Sequence, residues 1–238
     1  MFLDTISKYN VLNEEVVDYE DLSNSFIRGV NRMVNDKKGV ASVTINNNEV
    51  DTAREQDILP YINDFLYITS DLHLNHKNRN SSNLYNLVLN DINSKINLDG
   101  AIMFLGDMGK KDDPAQGKYI RSFVERINCK TKILILGNHD ILPIKDYYQM
   151  GFSYVSNILM TDKYVFTHCP YDVEHTNKIN FHGHIHFSKE YWNMDWRKHI
   201  DVYIGAHDYK VLQLKDYLEL YKKGYYNGKT VQKDLTKK

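Results

Sequence analysis

From Phe65 onwards the apolar positions fall into two alternating arrangements. Short continuous runs, FLYIT at 65–69, AIMFL at 101–105 and KILIL at 132–136, are bounded by turn residues. Runs of that length predict strands buried on both faces. Between them the apolar positions recur at helical spacing. Leu84, Leu87, Val88, Ile92 and Ile96 predict one helix with Ser81 and Ser82 as caps, and Ile120, Phe123, Val124 and Ile127 predict a second, with Asp113 as N-cap and Pro114 in its first turn. Strand, helix, strand, helix, strand implies parallel neighbours joined by right-handed crossovers. Beyond Gly151 the runs SYVSNILM, KYVFTH, INFHGHIH, HIDVYIG and YKVLQL predict a strand-rich second half. Upstream, Phe26, Val30, Met33 and Val34 form one helical stripe, and GVASVTINNNEVDT reads as strand, Asn-rich turn and strand.

Charge separates the two regions. Residues 1–62 carry six basic against eleven acidic side chains, whereas the remainder carries 24 against 20. The expected division is therefore an acidic N-terminal appendage over 1–62, a mixed α/β domain over 63–221 and a basic, frayed tail over 222–238. Over all 238 residues the charge is −1, with 42% hydrophobic and 26% charged residues, the balance of an ordinary globular chain. No apolar run reaches membrane-spanning length, and no global positive field is available to grip nucleic acid. Two cysteines, Cys129 and Cys169, cannot build a disulfide framework, and the start MFLDTISKYN lacks a secretion pattern, so a cytoplasmic location is expected.

Seven of the ten histidines lie between His168 and His207. They join a series of polar residues at successive strand ends, where open α/β sheets place ligand sites. FLYIT runs into Asp71 and His73; AIMFL into Asp107; KILIL into Asn138, His139 and Asp140; KYVFT into His168; INFHG into His184 and His186. Residues two apart in extended chain share a face, which makes geometric pairs of Asp71 with His73 and of His184 with His186. Gly106 and Gly137 stand just before candidate ligands, where a missing Cβ permits close approach. His182 extends the last run, and spacing alone does not say which two of its three histidines bind. Cys169 reads as a small buried residue. His175, His199 and His207 read as structural or exposed.

The ordered set D-x-H, G-D, G-N-H-D, H, G-H-x-H, spanning Asp71 to His186, resembles the calcineurin-like metallophosphoesterase superfamily. The resemblance implies a four-layer α/β/β/α sandwich with a two-metal centre at the strand ends. It implies that Asp71, His73 and His186 bind one ion, that Asn138, His168 and His184 bind the other, and that Asp107 bridges them. It assigns His139 to the leaving group and Asp140 to holding His139 in orientation. The implied reaction is hydrolysis of a phosphate ester by in-line attack of a hydroxide held between the ions. Carboxylate, amide and imidazole donors suit Mn²⁺ first, with Fe, Zn²⁺ or Ni²⁺ as alternatives. Two dications against two carboxylates and one hydroxide leave a net positive centre, as a phosphate ester requires.

Two departures narrow the substrate. The second motif continues as GDMGKK, with Lys110 where phosphatases of proteins and hydrolases of dinucleoside polyphosphates carry an acid, and the third reads GNHD where protein phosphatases prefer GNHE. The remaining likeness is to small bacterial and phage-type phosphoesterases. His76 and Lys77 are candidate substrate contacts, and KEYWNMDWRKH offers Tyr191, Trp192 and Trp196 for stacking beside Arg197 and Lys198. A nucleotide phosphodiester is the leading expectation. A phosphomonoester, a single-stranded nucleic acid and a non-catalytic interaction role on the same fold are the rivals.

Overall fold

The computed structural model describes residues 54–74, 81–173, 175–186, 196–226 and 229–230. The Phe26–Val34 stripe, the Asn-rich segment after it, His76, Lys77, Tyr191, Trp192 and residues 231–238 lie outside them.

Among the described residues the chain forms an α/β sandwich of two larger sheets, with a separate two-stranded pair near the C-terminus. The first sheet is built from β1 (Tyr67–Thr69), β2 (Ala101–Leu105), β3 (Thr131–Ile135), β4 (Tyr154–Ser156) and β9 (Leu212–Gln213), in the order β4-β3-β2-β1-β9. Its first four strands are parallel and β9 is antiparallel to β1. The second sheet orders β5 (Ile158–Met160), β6 (Tyr164–Thr167), β7 (Ile179–His182) and β8 (His199–Asp201) consecutively, and β6, β7 and β8 are parallel. The parallel strands of both sheets therefore send their carboxyl ends into loops that can meet.

Strand β2 shows why its sequence lacks alternation. Ile102 and Phe104 enter the core beneath the helices, while Ala101, Met103 and Leu105 enter the core between the sheets. Helix α1 (Ser81–Lys95), α2 (Gln116–Val124) and α3 (Ile144–Gln149) cover the outer face of the first sheet. Helix α4 (Leu214–Lys222) follows β9 at the sheet edge and sends Leu214 and Tyr217 into the core between the sheets.

Several local expectations change. Leu87 of α1 is half exposed, and Leu89 takes the buried position, because the helix face is centred on Val88, Ile92 and Ile96. Helix α2 starts at Gln116, and Asp113 instead accepts the Ala115 N–H in the turn ahead of it. SYVSNILM is two strands: Tyr154–Ser156 pairs with β3, and after Asn157 the chain changes sheet to pair with β6. YKVLQL keeps two strand residues before Leu214 begins a helix, where Asp216 accepts the Gln213 N–H. Residues on the appendage side of the expected boundary join the sandwich, since Ile58 is buried in the core between the sheets and Glu55 accepts the Tyr154 hydroxyl. Past Lys222, Tyr225–Tyr226 still pairs with Lys229–Thr230 as β10 and β11.

Candidate metal centre

Each candidate donor leaves its strand immediately before it reaches the site. β1 ends at Thr69, so Asp71 and His73 stand on a loop that runs beside the loop after β2: Asp71 N–H donates to the Gly106 carbonyl and His73 N–H to the Asp107 carbonyl. Asp71, His73, Asp107, His184 and His186 all have positive φ, between 43° and 71°. Strand alternation therefore does not make the expected pairs; the coiled loops still leave Asp71 Oδ1 and His73 Nε2 3.9 Å apart in one donor group, but they place His184 and His186 in different groups. A left-handed non-glycine residue costs on the order of 1–3 kcal/mol and persists where the surroundings impose it. Gly106, at φ 81°, is a position where a side chain does not fit: a Cβ would stand 2.6 Å from Gly137 N and from His168 Nδ1.

Two groups of donors result. In one, Asp71 Oδ1 lies 2.9 Å from His186 Nε2, and His73 Nε2 lies 3.3 Å from the same nitrogen. In the other, Asn138 Oδ1 lies 3.0 Å from His168 Nε2 and 3.2 Å from His184 Nδ1, and the two ring nitrogens are 3.2 Å apart. Asp107 stands between, with Oδ2 3.3 Å from His168 Nε2, 3.7 Å from His73 Nε2 and 3.9 Å from His139 Nε2. The structure thus brings together all seven residues that the resemblance names as ligands, with His139 beside them. Asp71, Asp107, Asn138 and His168 are buried, whereas the side chains of His139 and His186 are 27% and 34% exposed, which puts the mouth of the site over those two rings.

The electrostatics are those of a nest of donors. Burial raises Asp71, but the His186 hydrogen bond and the His168 charge overcome it and hold the carboxyl far below the usual range. Burial likewise opposes ionisation of Asp107, yet His168 brings it down to about 2. His168 is the counterpart: burial lowers it, and the Asp107 charge and hydrogen bond then raise it to about 10. Burial lowers His73 and His184 to about 4, so both rings are neutral at pH 7. The His168 Nδ1–H donates to the Leu105 carbonyl at 2.8 Å, turning Nε2 inward and fixing the ring as second-sphere partners of metal ligands do. Ring nitrogens and acceptor oxygens that converge within 3.3 Å repel one another unless protons or a cation lie between them, so the residues present fit a bound divalent ion.

Asp140 departs from its expected role. Its carboxylate accepts the backbone N–H groups of Asp107, Met108 and Gly137 and does not reach the His139 ring. Burial and the Asp107 charge raise it to about 7 against the Gly137 and Met108 hydrogen bonds and the His168 charge. The His139 ring is instead met by the Lys111 backbone N–H, which donates to Nδ1 at 3.1 Å and leaves the ring proton on Nε2. A carboxylate immediately after the histidine in sequence is drawn inward by three peptide donors, and so the neighbouring loop takes over the ring.

His182 ends β7, donates from Nδ1 to the Gly183 carbonyl and faces His199, outside the donor groups. His175 is exposed, and His207 rests against Tyr217. Cys169 is half-buried rather than buried, and its Sγ lies within 4.8 Å of ligand atoms of His168 and His184. Lys198 is committed to the Val173 and Thr176 carbonyls, which removes it from the phosphate-seeking charge expected of its loop. Spacing alone gave no signal for three neighbours of the site. Ser70 donates its hydroxyl to Asp71, Tyr203 stacks on His186 at 4.5 Å and 11°, and Gln116 binds the His139 carbonyl.

No protein-family model matches the chain, and none of the curated proteins matches it. Among solved structures, a protein of unknown function, AQ665 from Aquifex aeolicus, superposes with a TM-score of 0.49 at 18% identity, over 66% of this chain and 100% of that one. The nuclease MPE of Pseudomonas putida superposes with a TM-score of 0.39 at 20% identity, over 51% of this chain and 61% of that one. At these scores neither likeness bears on function.

Proposed function

We propose that the chain is a two-metal phosphoesterase, with nucleotide phosphodiesters as its leading substrate class. The observation that carries the reading is the position of Asp107, whose Oδ2 stands within 3.7 Å of a donor nitrogen from each group. In this reading Asp71, His73 and His186 would hold one ion, Asn138, His168 and His184 would hold the other, and Asp107 would serve both. Bound there, divalent ions would supply Lewis acidity toward the phosphoryl oxygens and toward a water.

The chain's own residues do the rest. Asp71 and Asp107 keep their negative charge in a buried setting, and His73 and His184 stay neutral and able to donate lone pairs. His139 presents Nε2–H at the mouth of the site. There it hydrogen-bonds the departing oxygen as negative charge develops on it.

The test is hydrolysis of bis-p-nitrophenyl phosphate and of its monoester, with Mn²⁺ and with chelator. The reading predicts diester turnover that needs the metal and exceeds monoester turnover. It fails if neither ester turns over with any first-row divalent ion. Metal-dependent turnover that favours the monoester would keep the chemistry and overturn the diester preference.

A further inference from the structure

We propose that Gln116, the first residue of α2, is the positioning residue that sets His139 at the mouth of the site. The proposal rests on the reading of His139 as the group that faces the leaving oxygen. Gln116 is 1% exposed, and its Nε2 donates one hydrogen to the Lys110 carbonyl at 2.8 Å and the other to the His139 carbonyl at 2.7 Å. A single amide nitrogen thereby ties the loop after β2 to the loop after β3. Next to it, Lys111 N–H donates to His139 Nδ1 at 3.1 Å, and the His139 N–H donates to Asp107 Oδ1 at 2.9 Å. His139 is held at its N–H, its carbonyl and its inner ring nitrogen, and only Nε2 is left toward substrate.

The chemistry of the amide accounts for its choice at this place. Two carbonyl oxygens converge on one point, and a carboxylate there would face both with lone pairs. A primary amide answers both from one atom. Gln116 Oε1 has no hydrogen-bond partner among the described residues, so the side chain's hydrogen bonds are those its nitrogen donates. The fit is close on the other side, where a Cβ on Gly109 would stand 2.5 Å from Gln116 Cγ. Freed from this tie, the Lys110–Lys111 turn and His139 lose their common anchor. Misplacing a group by about 1 Å can cost about 100-fold in rate.

The test compares Gln116→Met, which keeps the size and loses the donors, with wild type in the full chain. Gln116→Glu is the second variant should the first not fold. Asp113→Ala, which loosens the turn before α2 without touching His139, controls for a structural role. The first readout is the imidazole ¹⁵N resonances of His139 in zinc-loaded protein, identified by their loss in His139→Ala. The second is kcat and KM with Mn²⁺ for an alkyl diester and a nitrophenyl diester. The expected result has three parts: His139 Nδ1 leaves its hydrogen-bonded position, kcat on the alkyl ester falls about 10–100-fold with KM and metal content unchanged, and the nitrophenyl ester loses far less. Unchanged His139 resonances, equal losses on the two esters, or the same split in Asp113→Ala would each overturn the assignment. If wild type hydrolyses no ester, the phosphoesterase reading falls, while the ¹⁵N comparison still decides whether Gln116 sets His139.

Discussion

His139 and Gly183 are the residues at which a single substitution should most sharply separate leaving-group stabilisation from metal binding. Replacing His139 by alanine removes the Nε2–H at the mouth of the site and none of the seven donors. Such a variant should keep its metal and lose about 10²–10³-fold on an alkyl or nucleoside ester, the usual effect of deleting one donor to a developing anion. A nitrophenolate carries its own charge, so the loss on a nitrophenyl ester should be much smaller; equal losses measured by kcat/KM would remove His139 from the leaving group. Gly183 fails differently, because a Cβ there would lie inside van der Waals contact of Asp71 Oδ2 and Ser70 Oγ. Gly183→Ala should cost about 1–3 kcal/mol of stability by overpacking and should weaken the ion held by Asp71, read by thermal unfolding and metal titration. Undiminished metal affinity would show that Asp71 is not held by this contact. The strand-end positions of Asp71, His73, Asp107, Asn138 and His168 were legible from their order along the chain, whereas the choice of His184 and His186 over His182 rested on the resemblance. The partner of His139 was not legible, because it depends on which loop lies alongside after folding: the resemblance assigned Asp140 to it, and peptide N–H groups claim that carboxylate instead.

At the level of elements, the first half of the sandwich was readable because its strands are buried on both faces and its helices on one. The second half was less so. SYVSNILM carries no mark at Asn157, yet the chain changes sheet there, a choice made by the two partners β3 and β6. Helix α3 spans Ile144–Gln149 with Tyr147 as its one buried side chain, too little for a stripe to appear. The placement of α1 gives a direct check. Leu89 is 2% exposed and Leu87 is 50% exposed. Leu89→Ala should cost about 2–5 kcal/mol, and Leu87→Lys should change stability by no more than about 0.5 kcal/mol. Chemical denaturation of the two variants measures both, and a reversed order would mean that the helix face is misassigned.

For the whole molecule, five left-handed candidate ligand residues and two converging donor groups form a site whose stability, on the proposed reading, would be linked to bound divalent ions. Metal present at 100 times its dissociation constant should add about 2.7 kcal/mol to unfolding, seen as a rise in Tm that chelator reverses. Proton competition sets the sign of the pH dependence. His168 rises from an ordinary imidazole value to about 10, with burial opposing and Asp107 prevailing, so the metal-free protein holds a proton on that ring through neutral pH. An ion must displace it, and affinity should therefore increase between about pH 7 and pH 9, by roughly tenfold per unit for one proton released. An affinity independent of pH over that range would mean that His168 is not a ligand. Whether Asp107 serves two ions is read most directly from metal stoichiometry, measured by elemental analysis after loading and removal of excess ion, in wild type and in Asp107→Asn. Two ions per chain are expected in wild type and one or fewer in the variant, with ester hydrolysis lost. Two tightly held ions in a fully active Asp107→Asn protein, or a wild-type chain that never holds more than one, would contradict that role.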